Sequence, residues 1–221
     1  MKRMLSIIGT VMGLATPAAA QWLGMPAWNS PKGGTGLTFY GDYGAPNDSA
    51  LGGNAFGGRA ALGIGTITLT AGVASWKPNA LNSRVTSYGG TAAFRLIGGS
   101  LIPLSVDLQL GAAHSAAVTS GTQTFQGQTS VLGAVGLSVP LPTPGISVEP
   151  FFSPGIRYHK ISNAPTGTTD HQTNFGWVIG GNFSFGLVGI HVAYDSEKFD
   201  NGTHGVLGVG ADVGLRLPMG L

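Results

Sequence analysis

From Leu104 to Leu110 the chain reads Leu-Ser-Val-Asp-Leu-Gln-Leu, apolar and polar in strict alternation. Period two is the mark of a strand that shows one face to an apolar phase and the other to a polar one. The pattern recurs down the chain. Val131, Val135, Leu137 and Val139 oppose Ala134, Gly136 and Ser138. Phe175, Trp177, Ile179, Phe183 and Phe185 oppose Asn174, Gly176, Asn182 and Ser184, and Val188, Ile190, Val192 and Tyr194 oppose His191 and Asp195. Leu207, Val209, Val213, Leu215 and Leu217 oppose Gly208, Gly210, Asp212, Gly214 and Arg216. The polar faces carry small residues and isolated charges, whereas a sheet facing water carries lysine and glutamate in quantity. Such a face fits a narrow lumen, with the leucines turned to lipid.

The start of the chain agrees. Lys2 and Arg3 precede an apolar run from Met4 to about Ala15, and Ala18-Ala19-Ala20 forms an A-x-A cleavage site. Residues 1–20 are therefore read as a cleaved signal peptide, and the protein as exported. The chain has no cysteine and so no disulfide framework. Two of its 11 basic residues lie in the signal, leaving a balance against 9 acidic ones. The basic stripe that nucleic-acid binding needs is missing. Charged residues make up 9% of the chain, against about 25% in soluble domains, and mean hydropathy is +0.23. Beyond the signal, no apolar run is long enough for a membrane helix. A closed barrel is the other structure that pairs every backbone group inside lipid.

Ten strands are expected, near 34–43, 55–65, 66–76, 87–98, 103–113, 129–140, 146–160, 174–185, 187–195 and 205–217. Each approximates the roughly 9–11 residues a tilted strand needs to cross a bilayer. Long connections (44–54, 77–86, 114–128, 161–173, 196–204) alternate with short ones at Gly65-Thr66, 98–101, 140–145 and Gly186-Leu187. That alternation predicts an all-β, antiparallel, up-and-down transmembrane barrel spanning 34–221, with the long loops external. Eight strands is the alternative if 55–76 or 187–217 pair differently. Residues 21–33 are expected as a periplasmic N-terminal segment, and the stretch 22–33 is left either hanging free or tucked into the barrel. Tyr43, Phe56, Tyr88, Tyr158, Trp177 and Tyr194 share the outward parity and the external end of their strands, as an interfacial aromatic girdle does.

With these features the chain resembles the small bacterial outer-membrane β-barrel proteins, the opacity-like small barrels. Asp212-Val213-Gly214-Leu215-Arg216-Leu217-Pro218-Met219 fits the polar-x-Gly-x-x-apolar-x-apolar spacing of their assembly signal, although the usual terminal aromatic is absent. The resemblance implies residence in the outer membrane of a Gram-negative bacterium, amid lipid and lipopolysaccharide. It also implies delivery by the barrel-assembly machinery.

The function expected is structural or surface-interacting, the lumen plugged by an ion-pair network of Arg95, Asp107, Glu149, Asp212 and Arg216 together with Arg59 and Arg157. Arg95 and Asp107 flank one turn and are placed to face each other. Asp42, Asp195, His159 and His191 also point inward by parity. The alternative is a small pore for ions or solutes. The inward glycines Gly176, Gly180, Gly208, Gly210 and Gly214 would then supply open space; otherwise they supply the kinks that close a small barrel. An outer-membrane enzyme, lipid A-modifying or proteolytic, is the weaker reading. His114-Ser115, His159, Asp170-His171, Asp195 and His204 lie near the rim, but Ser115 follows His114 directly, without the His-x-Ser spacing of the lipid A deacylases. No enzyme activity, cofactor or metal is expected, and 195–202 is read as a solvated loop.

Overall fold

Strands that alternate at period two form a sheet with two unlike faces, and here the sheet closes on itself. The computed structural model describes residues 22–28, 36–99, 102–121, 123–164, 169–200 and 202–215. The signal peptide and Arg216 lie outside them. Ten long strands build the wall: β1 (Gly36–Pro46), β2 (Asn54–Ile64), β3 (Ile67–Lys77), β4 (Val85–Gly99), β5 (Ile102–Ser115), β8 (Gln128–Ser138), β10 (Ile146–Ile161), β11 (His171–Phe185), β12 (Val188–Phe199) and β13 (Gly202–Leu215). Each pairs antiparallel with its chain neighbours, and β13 pairs with β1 to close the ring. The eight-strand alternative is thereby excluded. Three short strands complete the set: β6 (Val118–Ser120), β7 (Gln123–Phe125) and β9 (Leu141–Thr143).

Turn chemistry sets one end of the barrel. Gly65 and Gly186 occupy left-handed backbone at φ +60° and +70° in the two-residue turns after β2 and β11, a conformation glycine adopts without steric cost. At this turn end the wall is irregular. β4 shifts register against β5 between Arg95 and Ile97, and again between Ile97 and Gly99. β8 stops before Pro140, and pairing with β10 resumes in β9. Proline has no N–H to give the ladder.

The opposite, loop end differs from expectation in one place. The connection expected at 196–204 is a tight one, because β12 runs to Phe199 and β13 starts at Gly202, with Phe199 paired to Gly202. Of the residues read as a solvated loop, 195–199 and Gly202 are strand, and the alternation carries Glu197 and His204 inward. The loop after β5 carries the β6–β7 hairpin. Its Val118 and Phe125 pack against the buried cluster inside the barrel mouth, with Phe125 edge-on to Trp76 at 5.7 Å.

The faces sort as the alternation requires. Leu104, Leu108 and Leu110 are exposed on the outer wall, while Ser105, Asp107 and Gln109 are buried inside. The exposed apolar residues continue around the ring from Phe39 on β1 to Val213 on β13. An unbroken apolar outer surface of this extent belongs to a barrel that spans a membrane.

Candidate functional site

The lumen holds the chain's own N-terminal segment. Trp22, Leu23, Met25, Ala27 and Trp28 are all buried there. The segment turns at Trp22–Met25, where the Met25 N–H meets the Trp22 carbonyl. Its polar groups bond to three strands: the Trp22 indole N–H donates to the Gly72 carbonyl on β3 (3.1 Å), the Leu23 N–H to Ser87 Oγ on β4 (3.0 Å) and the Ala27 N–H to Asp195 Oδ2 on β12 (2.7 Å). Trp28 lies edge-on to His191 at 4.6 Å, and the Arg59 guanidinium sits 5.1 Å from its ring centre. Residues 22–28 therefore do not hang in the periplasm as a free segment. Seven residues carrying two tryptophans, a leucine and a methionine have an apolar surface that the lumen removes from water.

Two ionic clusters meet this segment. In the first, Asp42 (β1) accepts from Arg59 Nε (β2) at 2.8 Å and lies 2.6 Å from His191 Nε2 (β12), whose Nδ1 is 3.4 Å from Asp212 on β13. Tyr40 lies under the Arg59 guanidinium at 3.8 Å. The second cluster sits nearer the loop end. Arg157 NH1 (β10) reaches both Asp195 Oδ1 (2.6 Å) and Glu197 Oε2 (3.1 Å) on β12. Glu197 Oε1 also takes the Asn174 amide (2.8 Å) and His159 Nε2 (2.6 Å), and His159 Nδ1 meets Ser130 Oγ (2.9 Å) and the Gln128 amide (3.0 Å). The Gln128 amide nitrogen faces His159 Nδ1, and the other ring nitrogen faces Glu197. Serine, histidine and carboxylate are thus connected as in a hydrolase, but all three are sealed from solvent, and Phe199 lies over His159 with His204 stacked at 4.2 Å beyond it.

The inward glycines have a definite task. A Cβ on Gly176 would stand 2.6–2.8 Å from the Arg157 guanidinium, and one on Gly208 would strike Pro26 and Trp28. Gly210 makes room for His191 and Asp42, and Gly180 for Phe151. These positions clear space for the N-terminal segment and the ion pairs. Gly214, near the turn end, has only ordinary contacts.

Among the described residues, which do not include Arg216, the single ion-pair network expected at the turn end does not form. Arg95 and Asp107 are register partners, yet the Arg95 guanidinium donates to the Gly65 carbonyl at 3.2 Å. Asp107 Oδ2 takes the Gln109 amide (2.8 Å), and Glu149 takes the Ser138 hydroxyl (2.8 Å). Asp212 belongs to the His191 cluster, and Arg59 and Arg157 serve separate clusters. Glu197, Asn174, Gln128, Ser130 and the segment 22–28 complete the lumen. Between Trp28 and the turn end lies a cavity of about 350 Å³ lined by Thr38, Thr68, Thr70, Thr91, Gln109 and Asp212 among others.

On the outer wall, Tyr43, Phe56, Tyr88 and Tyr194 are exposed, and Tyr158 and Trp177 half-buried. They meet other rings side by side: Tyr43–Phe56 at 5.2 Å, Tyr88–His114 at 5.7 Å, Trp177–Tyr194 at 5.9 Å and Tyr158–His171 at 5.9 Å.

No family model and no curated protein matches the sequence. Among solved structures the chain is similar to the N-terminal β-barrel domain of Pseudomonas aeruginosa OprF, at 11% identity over 83% of this chain and 100% of that one, with a TM-score of 0.39. It is also similar to Neisserial surface protein A (15% identity, 81% and 97% covered, TM-score 0.41). A third is Ail, the attachment invasion locus protein of Yersinia pestis (11% identity, 82% and 100% covered, TM-score 0.30).

Proposed function

We propose that the chain is an exported bacterial outer-membrane barrel, its signal removed near Ala20, with a structural or surface-interacting role and a lumen closed by residues 22–28. The observation that carries this reading is the burial of that segment, with the Ala27 N–H on Asp195 and Trp28 against His191. The two ionic clusters fill the remaining cross-section and hold the segment in place. In this orientation the long loops face outward, the outer-wall aromatics sit at the lipid–water boundary, and lipid and lipopolysaccharide surround the wall. The barrel-assembly machinery is its partner during biogenesis, and no nucleic acid is. We read Ser130, His159 and Glu197 as a brace without enzymatic function, so a serine-directed phosphonate probe leaves Ser130 unlabelled.

A pore is the second reading, favoured by the cavity at the turn end, which leaves that half of the lumen unfilled. Single-channel recording of the refolded mature protein in a planar bilayer separates the two. Under the closed reading the full mature chain is silent, and a form lacking residues 22–28 conducts. Sustained channels from the full mature chain would overturn it.

A further inference from the structure

At the loop end of the wall, Lys77, Arg84, Lys160 and Lys198 are exposed. Two of them meet at one outward residue. Asn54 on β2 and Lys77 on β3 are register partners, and the Arg84 guanidinium is held on the same asparagine. Arg84 NH2 donates to Asn54 Oδ1 (2.8 Å) and NH1 to the Ser75 carbonyl (2.9 Å), and the guanidinium carbon stands 5.3 Å from the centre of the Phe56 ring. These contacts fix the cation against the outer face of the wall, over an exposed aromatic. The inward arginines Arg59 and Arg157 each have a carboxylate. Among the described residues Lys77 and Arg84 form no ion pair, and Asp48, in the loop between β1 and β2, pairs with neither.

Below these cations the outer face turns apolar. Phe56 lies beside Tyr43 at 5.2 Å, both exposed. The next outward positions down the two strands are Gly41 and Gly58, which are themselves register partners. A Cβ on Gly41 would meet nothing within 4 Å, and one on Gly58 only the Tyr40 carbonyl at 3.8 Å. The wall is bare there, with Tyr43 and Phe56 above the gap and the exposed Phe39 below it on β1. Cations, then rings, then an open apolar strip follow the order of an anionic lipid's head, interface and chain.

We propose that Lys77 and Arg84, with Asn54 between them, seat a phosphate of an outer-leaflet lipopolysaccharide, one of whose acyl chains lies along the gap at Gly41 and Gly58. A phosphate monoester, as lipid A carries, brings close to two negative charges and three acceptor oxygens, which two cations match better than they match the single charge of a phospholipid diester. The arginine fork and the lysine ammonium both suit such a group. The proposal rests on the orientation given above, with the loop end outward, and conductance has no bearing on it.

The test uses the full mature protein refolded in detergent, its fold checked by the mobility shift on heating, with bound lipid counted by native mass spectrometry. Bisphosphorylated lipid A is expected to be retained, and lipid A stripped of its phosphates, or phosphatidylglycerol, to be retained about tenfold less. The double variant Lys77→Gln with Arg84→Gln is expected to weaken retention of the phosphorylated form about tenfold. Lys160→Gln with Lys198→Gln, elsewhere on the same rim, keeps it, as does Lys77→Arg. Should the double variant fail to fold, Gly41→Leu fills the gap from the lipid side and is expected to weaken retention while leaving both cations in place. Equal retention of lipid A with and without phosphates overturns the proposal in favour of a purely apolar contact. Equal retention of phosphatidylglycerol overturns it in favour of a site for any anionic lipid, and an undiminished double variant in favour of a site elsewhere.

Discussion

At the loop end of the lumen, Arg157 lies between Asp195 and Glu197 with the segment 22–28 folded against them. At the turn end, Asp107 and Glu149 face no described cation, Arg95 serves a backbone carbonyl, and a cavity of about 350 Å³ remains. Both halves are drawn from the same alternating pattern and carry similar numbers of inward charges. What separates them is whether a charge meets its opposite across the lumen. The loop end is a finished core, in which polar side chains do the packing that apolar ones do elsewhere. The turn end keeps polar walls around a cavity.

The sharpest way to break this comparison is to remove one arginine from each half. Arg157→Ala leaves Asp195 and Glu197 as buried, uncompensated carboxylates, and losing one partner of a buried pair costs about 3–5 kcal/mol. Arg95→Ala removes a hydrogen bond at the turn end and is expected to cost about 1 kcal/mol or less. Urea unfolding in detergent, followed by the mobility shift between folded and unfolded bands, measures both. Equal losses would mean that the two halves are held alike.

A gentler probe adds a methyl group instead of removing a charge. Gly176→Ala drives a Cβ to 2.6 Å from the Arg157 guanidinium, an overpacking expected to cost about 1–3 kcal/mol. Gly214→Ala at the turn end meets its nearest atoms at 3.7 and 3.8 Å, which is ordinary contact. Its unfolding midpoint is expected to stay unchanged or to rise slightly, because alanine restricts the unfolded chain. If Gly176→Ala is tolerated as well as Gly214→Ala, the loop end is looser than its contacts imply.

The wall was legible in the sequence and the lumen's wiring was not, for one physical reason. Period two states which way each residue points, so the strands, their turns and the outward leucines follow from local pattern alone. It says nothing about which inward side chains meet across the barrel, which depends on closure and stagger. Arg95 and Asp107 sit opposite each other in register, but the Arg95 guanidinium bonds a turn carbonyl instead, which alternation does not announce. Glu197 and His204 were hidden by reading 196–204 as a loop, although the alternation of Tyr194, Ser196 and Lys198 with Asp195, Glu197 and Phe199 continues into it. The N-terminal segment carried a usable signal: Trp22, Leu23, Met25 and Trp28 ahead of the first strand are too apolar to be left in water.

The smallest effect belongs to a pair whose geometry nearly matches one inside the lumen. His171 Nδ1 stands 2.7 Å from Asp170 Oδ1 at the rim, and His159 Nε2 stands 2.6 Å from Glu197 Oε1 within the barrel. The rim side chains are 56% and 46% exposed, while those inside are 0% and 0%. The hydrogen bond from His171 holds the Asp170 carboxyl below its ordinary value of 3.8. A lowered carboxylate adds stability above its unfolded pKa and loses it as the pH falls through the folded value, so any contribution vanishes in acid below that value. Water screens the pair throughout. Asp170→Asn and His171→Ala are therefore expected to match the wild-type unfolding midpoint at pH 7, and to stay matched as the pH is lowered past 3.8. His159→Ala, by contrast, strips Glu197 of one partner in a sealed site and should lower the midpoint clearly at pH 7. If the rim variants lose as much as His159→Ala, then distance rather than burial governs these pairs.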